Sequence, residues 1–437
     1  MNARVVAVIG AGRLRGRARG VYYGWWIVAA SAGIQMLQAG LMSQAYGAYV
    51  SVLRADFGWS TTALAFGYSL QPVQNGLLGP VQGWMIDRWG PRPVMRAGML
   101  MFGGAFLAFS QINSLLTFYI VFVVMAVGSS LAGFMSIMTT LVQWFERRRA
   151  TAMSVSQTGM SVGGMLVPLV AWSLTTLGWR ETAFISGLLV LGVGLPLTQI
   201  IRPNPEAYGL LPDGASPADV RAATPASGQA EPVNGRVDFT PRQALRTRAF
   251  WFISFGHAMA LLVVSAVMVH LILHLEDERG FSLSQAAAVV AVMTLVTALG
   301  QIGGGFLGDR FDKRKIAALA MFGHSAGLLA LAWGGSFYWV ILFILLHGIA
   351  WGMRGPLMQA MRADYFGRRH FGTIMGYSSL VIMFGMVLGP LVAGYMADRF
   401  GNYQYGFTLL AALAALGSIF FVLATPPPPP LAAAASI

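Results

Sequence analysis

Twelve stretches of this chain run for about twenty residues or more with little or no full charge. They lie at 25–50, 61–86, 93–112, 115–143, 150–174 and 182–201, then at 250–272, 284–307, 316–334, 337–361, 373–396 and 404–424. A helix rises about 1.5 Å per residue, so each stretch can cross the roughly 30 Å hydrocarbon core of a bilayer. Soluble helices need a wet face and would break such runs with charge. Only 10% of the 437 residues are charged and 56% are hydrophobic, which excludes an ordinary soluble domain. The 53 glycines suit close helix packing in lipid. With no cysteine, there is neither a disulfide framework nor a thiolate site.

The spans fall into two sets of six. Residues 1–201 read as a six-helix bundle with a basic N-terminus, 202–249 as a Pro/Ala/Gly-rich flexible linker, and 250–437 as a second bundle with a Pro-rich tail. The prolines from Pro426 to Pro430 cannot continue the last helix. A basic start before an apolar run resembles a signal peptide, but this run is too long and eleven more follow. Of 29 Lys and Arg, 24 lie on one face: the N-terminus, the linker, and the 2–3, 4–5, 8–9 and 10–11 connections. Arg54, Arg180, Arg279 and Arg399 lie on the other. Positive residues collect inside, so the expectation is a bacterial inner-membrane protein with both termini and the linker cytoplasmic. Tyr22, Tyr23 and Trp25 read as an aromatic belt.

One basic residue is left over. Arg354 falls inside the tenth span, and all 16 Asp and Glu fall in loops, the linker or span ends. A charge at such depth costs roughly 2.5–3.5 kcal/mol on insertion scales and usually faces a water-filled cavity. A guanidinium with no carboxylate at its own depth suits a carboxylate ligand, which it grips with two parallel hydrogen bonds. The cargo this implies is a small organic anion. The competing role for Arg354 is at an inner gate or snorkelled to the interface.

The halves repeat. Gly83-Trp-Met-Ile-Asp87-Arg88-Trp-Gly90-Pro91-Arg92 after the second span answers Gly305-Phe-Leu-Gly-Asp309-Arg310 after the eighth. Leu-Val-Gln-Trp-Phe-Glu-Arg-Arg-Arg, ending at Arg149, answers Arg362-Ala-Asp-Tyr-Phe-Gly-Arg-Arg-His, and in that alignment Arg354 stands opposite Gly133. The doubled Gly-x-x-x-Asp-Arg loops, the 6+6 spans and the linker resemble the major facilitator superfamily across essentially the whole chain. Gly24-Trp25-Trp26, Phe57-Gly58-Trp59-Ser60, Gly178-Trp179-Arg180, His270-Leu-Ile-Leu-His274 and Ala363-Asp364-Tyr365-Phe366 resemble its bacterial branch related to monocarboxylate and oxalate carriers. The resemblance implies an all-α membrane protein with two six-helix bundles related by pseudo-twofold symmetry, rocking about a site near the midplane. It also implies a cytoplasmic latch at Asp87, Arg88 and Arg92, framed by Gly83 and Gly90, with Gly305, Asp309 and Arg310 as the repeat. The anion clamps typical of those carriers, lysine in the first span or paired charges in the eighth and eleventh, are missing here.

His347, Trp351, Arg354 and Met358 share one helix face by spacing. The resemblance places the tenth span on the cavity, which turns this stripe toward substrate. Gln35, Gln38, Gln157 and Tyr377 could complete the site as neutral hydrogen-bonders, and His270 offers a proton or substrate contact. The plainer reading makes the glutamines helix-to-helix glue and the histidines packing residues. With no carboxylate in the spans, histidine is the residue type that could carry a coupled proton. Exchange of anions, uniport, a drug or neutral-solute exporter, and a non-transporting receptor are the competing readings. No catalytic group, metal cluster or phosphate loop is apparent, so no enzyme activity, metal or cofactor is expected, and no nucleic-acid partner. The expected partners are a small organic anion, a coupled proton and the lipid bilayer, with the monomer as working unit.

Overall fold

The computed structural model describes residues 21–215 and 238–430. The basic residues Arg4, Arg13, Arg15, Arg17 and Arg19, the middle of the linker and the last residues of the tail lie outside the described residues. Among the described residues the secondary structure is all helical. The first half contains α1 (Tyr23–Gln38), α2 (Tyr46–Phe57), α3 (Thr61–Trp89), α4 (Pro91–Phe109), α5 (Leu115–Ala132), α6 (Phe134–Trp144), α7 (Arg149–Met165), α8 (Val167–Thr176), α9 (Trp179–Leu189) and α10 (Leu195–Ile200). After the linker come α11 (Pro241–Leu245), α12 (Arg248–Arg279), α13 (Leu283–Gly308), α14 (Lys313–Trp333), α15 (Phe337–Phe366), α16 (Phe371–Phe400) and α17 (Gln404–Leu423).

Among the described residues, nine helical stretches are long and apolar enough to cross a membrane, from Leu115–Trp144 onward. The three earlier expected spans have visible reasons to differ. A π-turn at Ala39–Ser43 splits the first into pieces of 16 and 12 residues. α3 carries Gln71, Gln74, Asn75 and Gln82 together with Pro72 and Pro80. α4 opens on Arg92 and Arg96.

Within the first half α1 packs on α7, and α4 packs on α5 and α9. Within the second, α12 packs on α16 and α17, α15 on α13 and α14, and α14 on α17. The halves meet where α3 lies along α16 and where α7 lies against α13 and α15.

The ends of the linker are fastened rather than free. Both carboxylate oxygens of Asp213 accept hydrogen bonds from the amides of Glu146, Arg147 and Arg148. Asp238 Oδ1 accepts from the amides of Arg368 and Arg369, and Phe239 donates to the Phe366 carbonyl. The aromatic-belt reading also changes. Tyr22 donates to the Trp144 and Leu211 carbonyls, and Tyr23 donates to the Ile200 carbonyl. Arg202 lies over the Tyr23 ring, and Trp25 meets Phe145 edge-on. These rings therefore tie α1 to α6 and to the start of the linker. Aromatic residues before a span look alike in sequence whether they meet lipid or protein.

Candidate functional site

The two copies of the repeated loop, one in each half, make matching contacts at the same end of the molecule. Asp87, near the end of α3, accepts from the amides of Gly372 at 3.0 Å and Thr373 at 2.7 Å, at the start of α16. Asp309, after α13, accepts from the amides of Ala150 at 2.8 Å and Thr151 at 2.9 Å, at the start of α7. Each aspartate thus caps a helix of the other half, where the first-turn amides lack partners and the helix dipole favours negative charge. Burial pushes the Asp309 carboxyl above its ordinary range, against the amide bonds that pull it down.

The glycines make this approach possible. A Cβ on Gly83 would run into the Gly372 backbone, and one on Gly305 into the Ser154 side chain. Gly90 turns the chain between α3 and α4 at φ +81°, a left-handed conformation that glycine adopts freely. The basic residues of the motif stay within their own half. Arg88 lies over the Trp84 ring, Arg92 donates to Gln199 Oε1 at 3.1 Å, and Arg310 lies over the Phe306 ring. Within the motif, among the described residues, the hydrogen bonds across the halves are those of Asp87 and Asp309, while Arg88, Arg92 and Arg310 are seen in contacts inside their own half.

Further pairs close the same basic end. Gln143 Nε2 donates to the Arg368 carbonyl at 2.9 Å, and Arg368 Nη1 returns a bond to the Gln143 carbonyl at 2.9 Å. Arg149, 1% exposed, pairs with Asp364, which also holds Lys313 at 2.8 Å. By sequence position Gln143 ends the fourth span and the charged groups fall in loops or at span ends, and nothing in the sequence pairs them.

Above this closure lies Arg354. It is 2% exposed, and among the described residues neither its Nε nor its Nη1 has a hydrogen-bond partner. Its neighbour Gly355 faces Gln157 of α7, whose Oε1 would lie 3.2 Å from a Cβ there. Gln157 Nε2 is also buried without a partner. α7 of the first half therefore approaches α15 at the residue next to Arg354. Gln35 Nε2 donates to the Ser156 carbonyl and Oγ at 2.9 and 2.8 Å, while its Oε1 has no partner. Gln38 Nε2 donates to the Ser129 carbonyl at 2.8 Å, as helix glue would.

Within the stripe of four, His347 and Trp351 keep an edge-on ring contact at 6.2 Å, but no bond joins either to Arg354 among the described residues. His347 is 0% exposed and turns to His324 of α14, Met358 is 0% exposed, and Trp351 is half-buried. Tyr377 is half-buried on α16. His270 is held by the Tyr403 hydroxyl at 3.1 Å and the Pro390 carbonyl at 3.0 Å, so both ring nitrogens are engaged.

Arg354 is also not the sole charge within the helices. Arg362, 1% exposed, lies on α15 two turns beyond it, because that helix runs to Phe366 and not to 361. Its Nη2 lies 3.2 Å from His257 Nδ1 and donates to Ser378 Oγ at 2.8 Å, while Nη1 donates to Gln359 Oε1 at 3.2 Å. Ser378 in turn bonds Ser254 at 2.8 Å. The two arginines differ in degree: both Nη groups of Arg362 are bonded and only its Nε lacks a partner among the described residues, whereas Arg354 leaves both Nε and Nη1 without one. An eight-residue spacing from Arg354 was the signal in the sequence for Arg362.

Two helical halves that meet around buried polar residues give the architecture of a solute carrier of the membrane, and the family follows from comparison with known proteins. The chain matches the Major Facilitator Superfamily over residues 32–334 and 253–436, and it belongs to that family. It is similar to the human protein named monocarboxylate transporter 11, 26% identical over 410 residues, covering 92% of this chain and 82% of the relative. A probable sulfoacetate transporter of Cupriavidus necator is 23% identical over 388 residues, covering 84% and 86%. The solved proton:xylose symporter XylE overlays with a TM-score of 0.69 at 15% identity, covering 92% of this chain and 95% of that one. The major facilitator fold and a transporter of small solutes, not an enzyme, follow from these matches.

Proposed function

We propose that this carrier moves a small organic anion, a mono- or dicarboxylate, by alternating access, with Arg354 as its anion contact. The observation that carries the reading is the buried Arg354 guanidinium, whose Nε and Nη1 have no acceptor among the described residues. Donors left so are costly unless a ligand completes them. A carboxylate supplies two acceptors in the geometry a guanidinium offers. Gln157 of the other half, whose Nε2 is a buried donor without a partner among the described residues, is read as a second contact, through which the anion would draw the halves together. The names of the two relatives, a monocarboxylate and a sulfoacetate transporter, support an anion as cargo.

The basic end is read as cytoplasmic, in a bacterial inner membrane. On that reading the structure is closed toward the cytoplasm by Asp87 and Asp309. Proteoliposomes test the assignment with a panel of labelled acetate, lactate, pyruvate and succinate. Arg354→Gln should abolish uptake and Arg354→Lys should retain a minor fraction, since lysine keeps the charge without the fork. Unchanged apparent affinity in Arg354→Gln would sink the assignment.

A further inference from the structure

His324 on α14 and His347 on α15 face each other with Nδ1 atoms 3.1 Å apart and rings crossed at 70°. Both are 0% exposed, and among the described residues neither Nε2 has a hydrogen-bond partner. Phe343 stacks on His347 at 5.1 Å, and Trp351 meets it edge-on at 6.2 Å. Two buried imidazoles bonded only to each other are a poor adhesive, because each leaves a polar nitrogen without a partner.

The hydrogen bond fixes how many protons the pair can hold. Two neutral imidazoles carry two N–H groups, one of which must lie between the Nδ1 atoms. The donor ring then has a bare Nε2, and the acceptor ring carries its proton on Nε2. One added proton goes to the bare Nε2 and leaves the bond intact, now charge-assisted. A second would put protons on both Nδ1 atoms and break it. The pair is built to take one proton.

The charged and titratable surroundings are few. α13 and α16, up to its last turn, bring no full charge, and α17 brings none. Lys313, Arg314 and Lys315 sit at the far start of α14. From α12, His274 lies 3.3 Å from the Leu331 carbonyl of α14 and pairs with Glu278, beside Arg279, two turns beyond His324. His257 of the same helix is engaged by Arg362. The nearest full charge on α15 is Arg354, seven residues on, about 10 Å along the helix.

We propose that the His324–His347 pair is the site that takes up the proton accompanying the anion, an inference that rests on Arg354 as the anion contact. With Arg354 bare, a second positive charge on the pair is opposed. A carboxylate on Arg354 cancels that opposition, favouring the protonated pair by roughly tenfold at this distance. By reciprocity the protonated pair favours the bound anion by the same factor. One proton and one monocarboxylate then cross together without net charge.

The test uses the purified full chain and its proteoliposomes. With the carboxylate panel, wild type should accumulate substrate in response to an inward proton gradient, with no response to membrane potential alone for a monocarboxylate. His324→Gln and His347→Gln should each lose at least about tenfold of that accumulation while keeping exchange of labelled for unlabelled substrate. Exchange keeps the comparison valid for any variant that folds. Gradient-driven accumulation that persists in both variants overturns the proposal. If no panel member is carried, the Arg354 reading fails, and histidine-ring nitrogen spectra judge the pair alone. They should show two rings sharing a proton and gaining one more as the pH is lowered across the range in which the carrier stays folded, a change lost in either variant. A pair that stays neutral throughout overturns it.

Discussion

The two halves of this carrier share a plan and differ in what they bury. The first half fills its helix contacts with glutamines, and Gln38, Gln82 and Gln44 each donate to a carbonyl of a neighbouring helix. The second half buries Arg354, Arg362, His257, His324 and His347. The repeated loop is symmetric in function, since Asp87 and Asp309 each cap a helix across the interface. The repeated loop thus makes the same contact between the halves twice, while Arg354, Arg362 and these buried histidines lie in the second half, with Arg149 buried in the first. Arg354 stands where the first half has Gly133, the residue at which α5 and α6 break.

The symmetric part is the easiest to break. Gly83→Val should reduce uptake by roughly a hundredfold or more, because the added side chain meets backbone that has nowhere to move. Gly305→Val should do less, since it meets the Ser154 side chain first. A transport assay with surface-expression control checks both.

Arg362 sharpens the contrast with Arg354. Arg362→Met should lower thermal stability, by about 3 kcal/mol if the bonded partners His257 and Ser378 are left wanting. It should leave substrate affinity within about twofold, measured by thermal unfolding and by binding. A strong affinity loss would place Arg362 in the site.

Asp87→Asn and Asp309→Asn should each weaken a cap by about 1 kcal/mol, a roughly fivefold shift toward opening at the basic end. The chain has no cysteine, so maleimide labelling of Ser154→Cys reads that opening directly. Equal effects from the two aspartates support the symmetry, and an effect from only one refutes it. Gln38→Leu should be mildest, costing about 0.6 kcal/mol of stability with uptake nearly unchanged.

Much of this was legible in the sequence, for stated reasons. Charge-free length reports a bilayer directly, and the doubled Gly-x-x-x-Asp-Arg loop names both the glycine that permits contact and the aspartate that makes it. What the sequence hid were pairings between distant helices. His347 shares helical spacing with Arg354, yet its ring turns to His324, because spacing gives a face and not the neighbour that face meets. Arg362 looked like a charge at a span end because boundaries drawn from charge stop at the charge. The linker looked flexible by composition, although Asp213 and Asp238 fasten its ends to matching loops of the two halves.

Direct binding of a labelled carboxylate to the purified carrier tests the central claim most closely, because it separates contact from closure. With the uptake panel's best substrate, Arg354→Gln should weaken binding by about tenfold or more, the loss of at least one charge-assisted hydrogen bond. Asp87→Asn, which touches only closure, should bind within about fivefold of wild type. Arg354→Gln binding as tightly as wild type, with uptake lost, would make Arg354 a gate and contradict its role as the anion contact.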